Sequence, residues 1–184
     1  MGVERRHAVI RFERDRSGAL VGGTPIPVPK EVAGLPNNGG LEAIGVAPDS
    51  SPLAGAVVAI SEGGRGFILT GPRQGSFEVA LSGGYDATDL AFLPDGSLLL
   101  LERRFGLLGG LGCRLRRIAH GAVRPGARLD GEVVYESEAS HRIDNMEGLA
   151  VHREGDDTVV TLISDNNFNT RIQKTLLLEF ALVG

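Results

Sequence analysis

Three acidic residues stand inside apolar, strand-like runs. Glu42 lies in Gly-Gly-Leu-Glu-Ala-Ile-Gly-Val (39–46), Asp89 in Ala-Thr-Asp-Leu-Ala-Phe-Leu (87–93) and Glu147 in Asn-Met-Glu-Gly-Leu-Ala-Val (145–151). A carboxylate in an apolar strand costs stability unless it is paired, hydrated or bound to a cation. Each run is followed by a turn and a second β-rich run (56–60, 97–101, 159–163), which also ends in an acid: Glu62, Glu102 and Asp165. Three recurrences point to one shared site. Carboxylates that converge without partners repel, and at least one takes up a proton. A divalent cation removes the repulsion, and an oxygen-only donor set with amides and waters suits calcium or magnesium rather than zinc. The candidate ligands are Glu42, Asp89, Glu147, Asp165, Asn38 and Asn145, with Asp86 and Asn166 beside them. The competing reading is that each acid caps a strand end by accepting backbone N–H bonds.

These acids need strands to position them. The embedded acids are 47 and 58 residues apart, and about four short strands fit each interval. That spacing predicts an all-β fold of the β-propeller type. The units run from about 37 to 82, 84 to 140 and 144 to 183, with residues 1–36 as part of a fourth, all in one domain. Strands are expected at 41–46, 57–61, 66–70 and 77–81 in the first complete unit, with turns at Pro48-Asp49-Ser50, Glu62-Gly63-Gly64 and Pro72-Arg73-Gln74-Gly75, and Pro94-Asp95-Gly96 is the tight turn of the second. Glu4-Arg5-Arg6-His7 before 9–12 matches Glu102-Arg103-Arg104-Phe105 before 113–118, so the chain begins partway through a unit. The prolines of 25–29 impose an extended segment, residues 30–35 a helical turn or loop, and 106–112 a glycine–leucine insertion between strands. In such a fold the innermost strands line a central channel, where the embedded acids would meet.

Composition narrows the field. The chain has 184 residues, 27 of them glycine, no Trp, and a net charge of −4 from 19 Lys and Arg against 23 Asp and Glu. Nothing in that balance favours nucleic acid as a partner, and no apolar run reaches the roughly 20 residues of a helical membrane span. The single Cys113 cannot form an internal disulfide and is expected to be buried and inert. Residues 1–7 lack the apolar core of a signal peptide, and Arg6 stands where a lipidation motif wants Ser or Thr. No Gly-x-Ser-x-Gly elbow is present. Ser137, Ser140 and His141 cluster by sequence alone, and the four histidines show no zinc spacing.

Asn-Asn-Gly-Gly-Leu-Glu-Ala-Ile (37–44), the Glu-Arg-Arg runs, Asp-Asn-Met-Glu-Gly-Leu-Ala-Val (144–151), Ser-Asp-Asn-Asn-Phe-Asn (164–169) and Gln-Lys-Thr-Leu-Leu-Leu-Glu-Phe (173–180) resemble the phytase-like family, known for "esterase-like activity of phytase". The resemblance covers nearly the whole chain. It implies a propeller and a hydrolase of phosphate or carboxylate esters, calcium-dependent by analogy with propeller phytases. Family members are usually exported bacterial proteins, periplasmic or secreted, and are longer, so the chain is expected to be a C-terminal portion with an incomplete ring. Edge strands left open by such a ring predict self-association. Carried over by motif, Glu42, Asp89, Glu147 and Asp165 are the metal or water-activating candidates. Arg103 and Arg104, like Arg5 and Arg6, match the Glu-Arg-Arg run, and with Arg171 could hold a phosphate in a guanidinium fork. Two other readings stand beside this one: a lactonase-type propeller with one central divalent ion, and a non-catalytic module that binds a ligand or protein.

Overall fold

The structure is a computed structural model that describes residues 2–3, 7–36, 39–106, 110–138, 141, 143–169, 171 and 173–182. Arg5, Arg6, Asn38 and Ser140, singled out above, lie outside the described residues.

Among the described residues the fold is all-β apart from one helical turn, α1 (Lys30–Ala33). Its strands form four separate sheets, none closed on itself. The first is β1 (Gly2–Val3), β2 (Ala8–Arg14) and β3 (Leu20–Ile26), in that order. The second runs outward from β4 (Leu41–Val46) through β5 (Val57–Ser61), β6 (Arg65–Ile68) and β7 (Gly75–Val79). The third runs from β8 (Asp86–Phe92) through β9 (Leu98–Gly106) and β10 (Gly110–Ile118) to β12 (Glu132–Glu136). The fourth is β13 (Met146–Glu154), β14 (Asp157–Ser164) and β15 (Leu177–Leu182). The connection after β10 makes one crossover: β11 (Arg128–Leu129) adds in parallel to the outer edge of β7. Of the glycine–leucine stretch expected as an insertion, Gly106 and residues 110–112 are strand, Gly106 pairing with Gly110, and 107–109 lie outside the described residues.

Alternation explains why the middle sheets are apolar on both faces. Successive side chains of a strand point to opposite faces. In the Leu98–Leu101 run, Leu98 and Leu100 join a core with Val58, Ile60 and Ile68 of the second sheet. Leu99 and Leu101 join Met146, Val160 and Leu162 of the fourth. All four leucines are buried, each worth about 1.5–3 kcal/mol relative to exposure. The second sheet does the same: Ala59 and Phe67 face Val9 and Val32, while Val58 and Ile60 face the third sheet. Sheets therefore pack in chain order, and the first strands of the last three lie side by side, β4 on β8 and β8 on β13.

Each of these three strands carries a β-bulge at the equivalent place. In β4, Leu41 pairs with Ser61 and Ala43 with Ile60, leaving Glu42 as the extra residue. In β8, Ala87 pairs with Glu102 and Asp89 with Leu101, leaving Thr88. In β13, Met146 pairs with Ser164 and Gly148 with Ile163, leaving Glu147. The structural equivalents are thus Glu42, Thr88 and Glu147. Asp89 sits one position further along. On the second strands, Ser61, Glu102 and Ser164 correspond, followed by Glu62, Arg103 and Asp165.

Candidate functional site

Arg103 is the centre of the charged cluster. From the third sheet its Nη1 donates to Asn145 Oδ1 at 2.6 Å and to Glu147 Oε1 at 2.7 Å, both on the fourth sheet. Its Nη2 lies 3.6 Å from Glu62 Oε1 of the second. Asn145 Nδ2 also donates to Glu147 Oε1, at 2.7 Å. The ends of three consecutive sheets are therefore joined by one guanidinium. The bulge makes this geometry: the extra residue turns Glu147 off the alternating pattern of β13 and toward its neighbour.

Glu147 titrates above the usual carboxylate range. Burial is the main cause; the attraction of Arg103 and the hydrogen bond from Asn145 pull the other way, and the charges of Asp165 and Glu62 push it up again. With Glu62, Glu147 and Asp165 ionised, the cluster holds three negative charges against one positive. A cavity of about 360 Å³ opens beside it, lined by Leu35, Pro36, Gly39, Ser61, Glu62, Gly63 and Asp86. A larger cleft of about 420 Å³ lies among Pro94, Asp95, Arg117, Arg153 and Asp157. It sits at the hairpin ends of β8 and β13, the ends away from Asp86 and Asn145, so it does not belong to the cluster.

A second network frames the first. Asp144 is buried; its Oδ1 accepts the Asn145 N–H and its Oδ2 the Lys174 N–H, both at 2.8 Å. The Asp165 N–H donates to the Asn145 carbonyl at 2.9 Å. Ser164 Oγ donates to the Lys174 carbonyl at 2.7 Å and accepts the Leu176 N–H at 2.8 Å. The loop that follows Asp165 is thus anchored to the backbone that presents Asn145 and Glu147.

The other predicted residues fall elsewhere. Asp89 is half-buried and accepts two backbone N–H groups, Leu149 at 2.7 Å and Leu90 at 2.8 Å, so it ties β8 to β13 outside the Arg103 cluster. Burial raises its pKa to about 6. Glu42 lies next to Gly40 and His7: a methyl group on Gly40 would sit 3.7 Å from Glu42 Oε1 and 3.3 Å from His7 Nδ1. His7 is buried with φ of 45°, a placement its sequence context did not announce. Asp86 is exposed at the start of β8 and lines the cavity, and Arg171 is exposed between β14 and β15.

Arg104 alternates away from Arg103 on β9; its guanidinium carbon lies 4.9 Å from the Tyr85 ring centroid. Glu102, its neighbour in the Glu-Arg-Arg run, points elsewhere. It is fully buried and bound by Arg114 Nε and Arg116 Nη2, each at 2.5 Å. Ser137 and His141 do not form a couple: Ser137 Oγ accepts the Cys113 N–H, while His141 Nδ1 meets Tyr135 Oη and the Glu138 N–H. Glu62 was recognised as a strand-end acid but not as part of the site. Its equivalence to Asp165, one residue beyond the second strand, was the available signal.

Among the described residues no three Asp, Glu, His or Cys side chains come together closely enough to hold one metal ion. The arrangement is instead a guanidinium with convergent carboxylates and an amide, able to orient an oxyanion and exchange a proton.

A search of curated proteins finds no match. A family model described as "Phytase-like: esterase-like activity of phytase" matches residues 1–168, a span that takes in Glu62, Arg103, Asn145, Glu147 and Asp165. By that match the chain belongs to the phytase-like family, whose description points to a hydrolase of the esterase kind.

Proposed function

We propose that the four sheets are consecutive blades of a β-propeller and that the Arg103 cluster, at the inner ends of three of them, hydrolyses phosphate or carboxylate esters. The observation that carries this reading is the hub itself, where Arg103 draws Glu62 of the second sheet and Asn145 and Glu147 of the fourth to one point beside a cavity. The three bulged, adjacent inner strands support the blade reading.

In the proposed reaction Arg103 receives the ester's charged or developing oxyanion in its fork, in exchange for part of its hold on Glu147. Glu147, made more basic by its surroundings, accepts a proton from water as the water oxygen bonds to phosphorus or to the carbonyl carbon. The bond to the leaving oxygen breaks, and that oxygen takes the proton back from Glu147. Glu62 and Asp165 keep the local potential negative and hold Glu147 poised for the proton. Calcium, expected from the family analogy, would draw on amide and backbone oxygens as well as Glu62, Glu147 and Asp165, and no step is routed through it. Calcium enters as one arm of the assay.

The test is turnover of phenyl phosphate and phenyl acetate by the full chain, with calcium and with chelator, for the wild type, Glu147→Gln and Arg103→Ala. Turnover that falls at least tenfold in both variants is expected. No turnover in any arm overturns the ester-hydrolase reading. One observation favours a non-catalytic module: Arg103 already has two short hydrogen bonds and so can serve as a clasp between sheets. Under that reading Arg103→Ala lowers stability with no activity to lose. Lactone turnover without phosphoester turnover would select the lactonase reading.

Export to the periplasm or beyond and self-association complete the proposal. The latter is supported by Phe12, Leu20, Ile163 and Leu177, all exposed on the first and last sheets, and by the open edges of β3 and β15. Sedimentation coefficients that rise with concentration would support it, and a constant monomer value would refute it.

A further inference from the structure

Phe168 is fully exposed, at 102% of its reference surface, and it is held there. It has φ of 57° and follows Asn167 at 49°, two successive non-glycine residues in the left-handed region, which a bulky side chain rarely enters. Local bonds fix that backbone: Asp165 Oδ1 accepts the Asn167 N–H, Asn166 Oδ1 accepts the Phe168 N–H, both at 3.0 Å, and the Asn166 carbonyl accepts the Asn169 N–H at 2.7 Å. At its base the loop is tied through Ser164, Lys174 and Asp144 to the segment that presents Asn145 and Glu147. Asp165, three residues before the phenyl ring, is close enough to Glu147 to raise its pKa.

An exposed aromatic ring on a strained backbone has no packing reason to be there, and strain that persists marks a place where the surrounding structure dictates the conformation. The loop that carries the ring springs from Asp165, whose N–H donates to the Asn145 carbonyl at 2.9 Å, next to a site whose described polar groups are charged or amide. Aromatic side chains recognise flat apolar groups by stacking, with little conformational entropy to lose.

We propose that Phe168 is a specificity-determining contact of this site: it stacks on a planar, apolar group of the substrate while the ester end reaches Arg103 and Glu147. The substrate class is then an aryl ester, or another ester with a flat apolar moiety, in preference to a small alkyl ester. This assignment rests on the ester-hydrolase reading, and the test separates the two.

The first arm compares phenyl phosphate with methyl phosphate, and phenyl acetate with methyl acetate, in wild type and Phe168→Ala. The aryl-to-alkyl ratio of kcat/KM is expected to fall about tenfold in the variant, with the loss in KM for the aryl substrate. An unchanged ratio overturns the proposal, and thermal melting checks that the variant is folded. The second arm needs no turnover. The chain has no tryptophan, so Phe168→Trp places a single reporter at the loop tip. Titration with phenyl phosphate is expected to shift its emission saturably, with methyl phosphate producing no comparable change. Absence of a shift, or an equal shift with both, overturns the proposal. A saturable shift without hydrolysis of any ester would sink the hydrolase reading and leave Phe168 as an aryl-binding residue. Hydrolysis with neither a shift nor a changed ratio would do the reverse.

Discussion

Asp89 offers the sharpest check on the physical reasoning, because its two influences oppose each other. Its carboxylate accepts two backbone N–H groups, from Leu149 and Leu90, and such bonds favour the ionised form. Burial between β8 and β13 disfavours it and prevails, so the folded-state pKa rises from 3.8 to about 6. For an acid this direction means that the folded state binds the proton more tightly than the unfolded chain. The stability that Asp89 contributes is therefore fully present below pH 3.8 and is lost as pH rises from there through about 6. A tenfold change in proton affinity is worth about 1.4 kcal/mol, so the displacement corresponds to about 3 kcal/mol. Asp89→Asn carries no ionisable group and keeps one carbonyl oxygen for one of the two donors. Its stability should lack this pH-dependent part. Urea unfolding followed by circular dichroism at pH 4, 5, 6 and 7 measures most of it: the variant should gain about 2.5 kcal/mol relative to wild type across that range. The lost second hydrogen bond, about 1 kcal/mol, lowers the variant by the same amount at every pH and leaves that change unaltered. Asp89→Ala leaves both N–H groups without their acceptor and should be less stable than Asp89→Asn throughout. Parallel curves for wild type and Asp89→Asn would refute the reasoning. A difference of the opposite slope would mean that the two N–H bonds outweigh burial.

Glu102→Gln should cost about 3–5 kcal/mol in urea unfolding, because Arg114 is left buried without a countercharge and Arg116 keeps only the exposed Asp130, 3.3 Å away; a loss below 1 kcal/mol would show that the cluster is solvated. Cys113 is buried with its thiol pushed up to about 12, so a thiol reagent at pH 8 should react only as fast as the protein unfolds, and prompt labelling of folded protein would contradict that. Gly66→Ala should lose about 1–3 kcal/mol, since the added methyl would lie 2.1 Å from the ring of buried Phe77; an unchanged melting temperature would show that the ring can move aside.

What could be read from sequence depended on burial. The strands β4 and β5 were placed with the observed ends, because apolar residues on both faces leave a run that turn residues bound sharply. β3 was not foreseen as a strand. Two glycines and a proline dilute its signal, and six of its seven residues are exposed. β12 is an exposed edge strand and β11 only two residues long, so neither produces a pattern in the sequence. Ser137 and His141 could be paired on paper because sequence gives proximity without direction; the structure turns each to a different partner.

The misplacement of Asp89 has a different origin and a consequence for function. Hydrophobic pattern alone aligns Asp89 with Glu42 and Glu147, but a bulge inserts one residue and a slip of one exchanges the faces of a strand. Once the ladders fix the register, Asp86, Thr88 and Arg103 of the third sheet stand where Asn145, Glu147 and Asp165 stand in the fourth. A cation therefore replaces an acid at one position, and a neutral hydroxyl replaces an acid at another. Had the repeats been identical in charge, their equivalent carboxylates would repel across the sheet boundaries. The substitution of Arg103 converts that repulsion into the bonds that draw Glu62 and Glu147 together. The chemistry of the site thus resides where the third repeat departs from its neighbours, which is the feature that alignment on the shared acids conceals.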